Sequence, residues 1–326
     1  MLPPVPLAVV LATAITWLLL GALIPFLRRR LLDQPNARSS HRRPTPRGGG
    51  LAFVMVASAA SALAVALSPP AAPWPQLLPL LALPLAVVGL LDDRHNLPAG
   101  LRYGAQLITA LLLILVSPMA AALPLPALAL LLIAVTAVIN FTNFMDGLDG
   151  LVAGCMAVAI SAQAIALAAP WTIWALVGGL LGFLLWNWSP SRVFMGDVGS
   201  TFLGAVFAGL VLQAPSWPDA LGLLLVATPL LGDACLCVPR RLLAGQQVFQ
   251  AHRLHLFQRL HQAGWPHARV SSLYIAATAA LALALVAGGW PWVVGLAIAE
   301  LLGGVWLDQR VAMPFAGEGA RRLFEK

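Results

Sequence analysis

The sequence predicts an all-α, polytopic membrane protein of about eleven transmembrane helices, with its amino terminus outside and its carboxyl terminus in the cytoplasm. Three observations predict it. Of the 326 residues, 60% are hydrophobic and only 10% are charged, with a mean hydropathy of +0.88, whereas soluble domains carry about 25% charged residues. Stretches 1–27, 48–91, 103–145, 150–191, 198–218 and 270–299 contain no Asp, Glu, Lys, Arg or His. Each is long enough for a helical crossing of about 20 residues, and three are long enough for two. Finally, the few charges are distributed one-sidedly, as the loops below show.

Taken in order, stretch 1–27 is as long as a full span and lacks the positive segment and short apolar core of a cleaved signal peptide, which places span one near 5–27. Arg28, Arg29 and Arg30 follow it as topology signals. The double-length stretches divide at proline-rich turns. Turn 68–76 (SPPAAPWPQ) separates spans at 48–67 and 77–91, and 117–126 separates 103–119 from 124–141. Turn 168–171 (AAPW) separates 150–168 from 171–188, and 288–292 (GGWPW) separates 270–288 from 291–308. Spans at 198–214 and 218–237 complete the set. Tryptophans beside several turns suit the membrane interface. A single integral membrane domain, 1–326, is expected.

With these spans the loops alternate sides. All nineteen Lys and Arg residues, and all six histidines, then fall in 28–47, 92–102, 189–197, 238–269 and the tail after 308. The positive-inside rule makes that face cytoplasmic, and the inner (plasma) membrane is the expected location. The opposite loops carry one charge, Asp219, and Glu300 stands out as an acid deep in a span. An outer-membrane barrel is excluded because its strands would alternate over about ten residues. The sequence pI near 10.6 does not indicate nucleic acid, because the cations are spread between spans with no soluble domain to hold a duplex. Membrane lipids and phosphorylated substrates are the expected partners. Cys155, Cys235 and Cys237 lie in or beside apolar stretches without a zinc or redox spacing, and are expected to be packing residues. No inverted repeat of interrupted helices marks a lipid or solute transporter. An intramembrane Mg²⁺-dependent prenyltransferase would need a final acid that Asp92-Asp93-Arg94-His95-Asn96 lacks.

Five polar segments lie on the cytoplasmic face. In 33–50, DQPNARSSHRRPTPRGGG, Arg38, Arg42, Arg43 and Arg47 precede three glycines, whose backbone amides are expected to approach an anion. Asp92 and Asp93 in GLLDDRHNLPAGLRYGAQ are adjacent carboxylates at the bilayer surface, a placement that calls for a cation or a proton-transfer task. In NFTNFMDGLDG, 140–150, Asn140, Asn143 and Asp146 recur at i, i+3 and i+6 and share a face while the helix lasts, with Asp149 following. In NWSPSRVFMGDVGSTFLG, 187–204, Phe194 precedes Asp197, which opens a helix in a glycine-rich setting. In AHRLHLFQRLHQ, 251–262, His252 and His255 are expected on one helical face near Arg259, suited to holding phosphates or moving protons. Five acids and two asparagines offer hard oxygen ligands, which favours Mg²⁺, or Mn²⁺, over zinc. Acids for the metal, arginines for phosphates and a histidine pair describe phosphoryl transfer between a cytosolic nucleotide compound and a lipid.

DQPNARSSHRRPTPRGGG, GLLDD, NFTNFMDGLDG, FMGDVGS and HRLHLFQRL, in this order from residue 33 to about 270, resemble the polyprenyl-phosphate N-acetylhexosamine-1-phosphate transferases, the MraY/WecA family. The resemblance implies that undecaprenyl phosphate attacks the β-phosphorus of a UDP-N-acetylhexosamine, releasing UMP. It implies Mg²⁺ ligation by Asn143 and Asp197 and a catalytic acidic pair in Asp92 and Asp93. Asp146, Asp149 and Phe194 would line the uridine pocket, Arg47 would bind substrate, and His252, Arg253 and His255 would face the diphosphate and sugar. His252-Arg-Leu-His255 replaces the three consecutive histidines of the muramoyl-pentapeptide enzymes, which resembles instead the branch that starts lipopolysaccharide O-antigen and other surface glycans. A homodimer is compatible with these expectations.

Overall fold

The computed structural model describes residues 3–35, 43–67, 74–121, 123–246 and 252–315. Arg38, His41, Arg42, most of the turn at 68–76, and Arg321, Arg322 and Lys326 lie outside them. Within the described residues the chain is helical except for one short antiparallel ladder, β1 (Leu32–Asp33) on β2 (Thr45–Pro46), which pairs Leu32 with Pro46 and Asp33 with Thr45. The helices are α1 (Val5–Arg30), α2 (Gly50–Leu67), α3 (Leu78–Leu81), α4 (Leu83–His95), α5 (Ala99–Leu115), α6 (Leu125–Phe144) and α7 (Leu151–Ala166). After these come α8 (Trp171–Asn187), α9 (Asp197–Val211), α10 (Trp217–Leu225), α11 (Thr228–Leu243), α12 (Leu256–Gln262), α13 (His267–Gly288) and α14 (Trp290–Arg310). This is an all-α polytopic membrane protein.

Among the described residues, six segments are long and apolar enough to cross a bilayer: α1, α2, Pro75–His95, α6, α13 and α14. Four shorter apolar helices, α5, α7, α8 and α9, coincide with expected spans. The ninth expected span, 218–237, is not straight. Its halves α10 and α11 meet at 87°. Pro229 at the start of α11 has no N–H to return to the preceding turn, and the Thr228 hydroxyl instead donates to the Leu225 carbonyl at 2.6 Å. Asp233 lies inside α11 and is buried, so Glu300 is not the only acid deep in a span.

Apolar side chains face both inward and outward, unlike those of a soluble bundle. The middle helices α7 and α9 are buried along nearly their whole length, while Leu18, Leu125, Leu130, Leu283 and Leu302 project outward, as lipid-facing residues should. Lipid tails are as apolar as leucine, so close packing must hold such helices together. On α8, Gly178 and Gly182 are four apart and lie against the backbone of α1, where the Thr13 hydroxyl donates to the Gly178 carbonyl at 3.0 Å. Helix ends then place the polar segments: Asn96 adopts φ 49° to close α4, and Gly150 at φ 73° turns the chain into α7.

Candidate active site

The segment before α2 and the segment before α9 are joined backbone to backbone. Phe194 N–H donates to the Pro46 carbonyl at 2.8 Å, and the amides of Gly49 and Gly50 donate to the carbonyls of Phe194 and Met195, both at 2.9 Å. The expected anion-binding amides of Gly49 and Gly50 are therefore committed to the protein. A side chain at either glycine would collide with Val193 or Gly199, so the glycine run serves this close approach. It leaves Arg47 beside Asp93, whose main-chain carbonyl accepts from the guanidinium and whose Oδ1 lies 3.8 Å from Arg47 Nε.

Asp93, buried in the last turn of α4, reaches the amino end of α9. Its Oδ1 accepts from Asp197 N–H at 3.2 Å and its Oδ2 faces Val198 N–H at 3.4 Å, the position where a helix dipole favours a carboxylate. Gly89, one turn earlier, makes this possible, because a Cβ there would stand 2.5 Å from the Asp197 carbonyl carbon. Asp92 turns the other way: Oδ1 accepts from Leu97 N–H at 2.6 Å and Oδ2 from Arg102 Nη1 at 3.0 Å. The same Arg102 nitrogen lies 3.9 Å from Asp197 Oδ2, so this cation bridges two acids. Arg102 was present in the GLLDD segment but not selected from the sequence; its spacing ten residues past Asp92 shows no periodicity that would single it out.

From the far side, α6 delivers Asn143, whose Oδ1 accepts from the Ser200 hydroxyl of α9 at 2.7 Å. Asn140 does not join it, because its amide exchanges hydrogen bonds with Gln106 at 2.6 and 3.2 Å. The helix ends at Phe144, and Asp146 stands in the following turn near Gly196, which donates its backbone N–H. Burial, with the charge of Asp93 added, pushes the Asp146 carboxyl up to about 7. Asp149 is tied elsewhere: its Oδ2 faces His267 Nδ1 at 3.1 Å and Ser191 N–H at 3.2 Å. Burial alone would raise the Asp149 carboxyl, but His267 and the Ser191 donors hold it below its ordinary value.

His252 and His255 are not on a helix. They precede α12 in irregular backbone, with rings stacked at 5.0 Å. The segment reaches the acidic turn through Phe257, whose ring packs on Gly147 and stacks on His255 at 5.6 Å. Its anchor is Asp233 of α11, which sequence reasoning missed because a lone acid within an apolar span carries no motif. Asp233 accepts from Leu256 N–H at 2.8 Å, Phe257 N–H at 3.1 Å and the Tyr274 hydroxyl at 2.9 Å, and faces His255 Nδ1 at 3.4 Å. Burial opposes a charged ring at His255, but the Asp233 carboxylate, joined by a hydrogen bond to Cys237, prevails and pushes it up to about 9. Burial and the charge of His255 push His252 down to about 4. Arg253 offers its carbonyl to Gln262 Nε2 at 2.9 Å. Arg259 is turned away from the histidines, to the Met313 carbonyl and to Asp308, which also binds Arg240 at 2.8 Å.

The result is a set of four acids, Asp92, Asp93, Asp146 and Asp197, with Asn143, two guanidiniums and an adjoining neutral and charged histidine pair. Mutual repulsion among these acids and their oxygen-only donors suit a hard divalent cation, and the guanidiniums suit phosphate oxygens. Residues 76–214 match the model of the glycosyl transferase family 4. The decaprenyl-phosphate N-acetylglucosaminephosphotransferase of Mycobacterium leprae is 32% identical over 79% of this chain and 77% of its own length. The phospho-N-acetylmuramoyl-pentapeptide-transferase of Heliobacterium modesticaldum is 35% identical over 83% of this chain and 93% of its own. That of Moorella thermoacetica is 33% identical over 84% and 95%. With its acids, arginines and histidines gathered by α4, α6, α9 and α12, the chain belongs to the polyprenyl-phosphate hexosamine-1-phosphate transferase family and is a membrane sugar-1-phosphate transferase.

Proposed function

We propose that the protein transfers an N-acetylhexosamine-1-phosphate from a UDP-sugar to undecaprenyl phosphate, on the cytoplasmic face of the inner membrane, to begin O-antigen or another surface glycan. The observation that carries this reading is the meeting of Asp93, Arg47, Asp92 and Arg102 at the Asp197 end of α9. Eleven spans, counting the bent α10–α11 pair as one, put every arginine-bearing loop on the same face, in accord with a cytosolic nucleotide donor.

In this reading a new bond forms between a lipid phosphate oxygen and the β-phosphorus, while the bond from that phosphorus to the bridging oxygen breaks and UMP leaves. Asp197 and Asn143 would hold Mg²⁺, with Mn²⁺ as a substitute. The cation would supply neutralisation of the diphosphate and of the charge developing on the leaving phosphate. The donor set fits, since Asn143 Oδ1 keeps a second lone pair after accepting from Ser200. Arg47 and Arg102 hold the acids in place and offer remaining donors to phosphate oxygens. His255, kept charged by Asp233, would face anionic oxygen, and neutral His252, whose Nδ1 accepts from Leu254 N–H, presents Nε2–H as a donor to the diphosphate. Phe194 would stack on uracil beside Asp146 and Asp149. The cavity of about 790 Å³ between α11, α13 and α14, lined by Leu236, Leu243, Leu256 and Leu301, offers an apolar path for the lipid.

Asp197→Ala in purified membranes tests this directly. UMP release from UDP-N-acetylhexosamines and undecaprenyl phosphate should fall to background in an intact, folded variant, and near-normal release would remove Asp197 from the metal site.

A further inference from the structure

One side chain beside the histidine pair, Cys237, is left unused by the transfer reaction as described. Cys237, in the last turns of α11, faces the histidine segment, and the ligand atoms of Cys237, His252 and His255 all lie within 4.8 Å of one another. This donor set differs in kind from the oxygens around Asp197. A thiolate with two imidazoles prefers zinc-like ions over Mg²⁺. We propose that Cys237, His252 and His255 form a second metal site, selective for a thiophilic divalent cation of the zinc class, and that its occupancy inhibits transfer.

The surroundings resemble a prepared site. Cys237 and His255 are both buried, at 4% and 2% exposure. His255 Nδ1 faces Asp233 Oδ1 at 3.4 Å, and the Asp233 carboxylate is itself fixed by Leu256, Phe257 and Tyr274. A carboxylate behind a histidine is the outer-shell arrangement that orients imidazole ligands and raises their basicity. His252 Nδ1 accepts from Leu254 N–H at 3.2 Å, so the ring proton sits on Nε2; the ring takes a metal either at Nδ1 in exchange for that contact or at Nε2 after its proton moves to Nδ1. Bonds of about 2.3 Å to sulfur and about 2.0 Å to nitrogen put tetrahedral ligand atoms roughly 3.3–3.8 Å apart, so closure needs a shift of about 1 Å. His252, partly exposed and outside any helix, can supply it. The partial exposure of His252 gives the ion a route from the aqueous side. Binding forms the bonds from the metal to sulfur and to the two imidazoles, and releases to solvent the thiol proton and the second ring proton of the charged His255. Three protein ligands leave one coordination position open.

The inhibitory half rests on the function proposed above, since it withdraws two histidines from the diphosphate; the binding half stands alone. The first test is optical titration of the full-length protein in detergent with Co²⁺, read by the thiolate-to-cobalt charge-transfer band and by displacement with Zn²⁺. The expected result is a saturable one-to-one band that survives in Cys235→Ser and is lost in Cys237→Ser. No band in the wild-type protein, or a band that persists in Cys237→Ser, overturns the site. Should Cys237→Ser fail to fold, alkylation of wild-type protein gives the same decision: Zn²⁺ should protect Cys237 and leave the exposed Cys235 reactive, and equal labelling of both overturns the site. For the inhibitory half, Zn²⁺ is titrated into the Mg²⁺-supported reaction. With each protein's inhibition read against its own uninhibited Mg²⁺-supported rate, Cys237→Ser should weaken Zn²⁺ inhibition on the order of 100-fold. Equal inhibition of both proteins overturns regulation through Cys237. A protein that shows the cobalt band but no transferase activity would instead count against the proposed function.

Discussion

Replacing Asp233 by Asn removes one charge from the most connected side chain outside the acidic cluster. The carboxylate accepts three hydrogen bonds and faces His255. An amide keeps the volume but has a single acceptor oxygen, so at least one donor, from Leu256 or from Phe257, is left facing an NH₂ group. Loss of one charge-assisted bond costs about 1.5–3 kcal/mol. The histidine adds a pH-dependent part. His255 is raised from 6.5 to about 9 by Asp233 with a smaller share from Cys237, and at about 1.4 kcal/mol per unit the whole shift corresponds to about 3 kcal/mol, the upper bound on what Asp233 contributes. A raised histidine pKa stabilises the fold in full below pH 6.5, and that contribution is lost as pH rises through about 9. Asp233→Asn should thus weaken the anchoring of α12 by up to roughly 4–6 kcal/mol near pH 6 but by only about 1.5–3 kcal/mol near pH 10. Hydrogen exchange of the peptide spanning 252–262, corrected for intrinsic rates, reads this as local opening. The difference between wild type and variant should shrink by up to about a hundredfold across that pH range. Unchanged protection in the variant, or the same loss at both pH values, would refute the Asp233–His255 pairing.

Three further outcomes are expected. Gly89→Ala places a methyl against the Asp197 backbone and should cost about 1–3 kcal/mol in thermal stability together with most turnover; an active variant of wild-type stability would mean that α4 and α9 do not meet there. Asp93→Asn loses charge toward Arg47 and the α9 amides and should reduce kcat by at least about 100-fold with a smaller change in KM for the UDP-sugar, and an effect confined to KM would assign Asp93 to binding alone. Chelation by EDTA should abolish turnover, with recovery on adding Mg²⁺ or Mn²⁺; full activity in EDTA would exclude a dissociable cation at Asn143 and Asp197.

Much of the fold is legible in the sequence because lipid imposes a coarse rule. Charge-free stretches must be helices, and proline turns such as AAPW must break them, so α7 and α8 stand where the sequence places them. The bend at Thr228 is less legible, since Pro229 looks like an ordinary proline near a helix start until the fold shows that the Leu225 carbonyl is met by the Thr228 hydroxyl and not by a backbone N–H at 229. In the site, Asp93, Asn143 and Asp197 announce themselves by clustering at span ends. Their partners do not. Whether Gly49 and Gly50 offer amides to an anion or to Phe194 and Met195 depends on a segment almost 150 residues away. Asn140 has the right periodicity and the wrong partner, Gln106. Asp233 and Cys237 acquire meaning only when α11 folds back against the His252 segment.

The most direct test is mass spectrometry of the lipid formed when the purified protein, Mg²⁺ and undecaprenyl phosphate are mixed with a panel of UDP-N-acetylhexosamines. The account predicts one or a few undecaprenyl-diphosphate-linked N-acetylhexosamines, each matched by an equimolar yield of UMP. Folded protein that releases no UMP and leaves the undecaprenyl phosphate unmodified across the panel would contradict it.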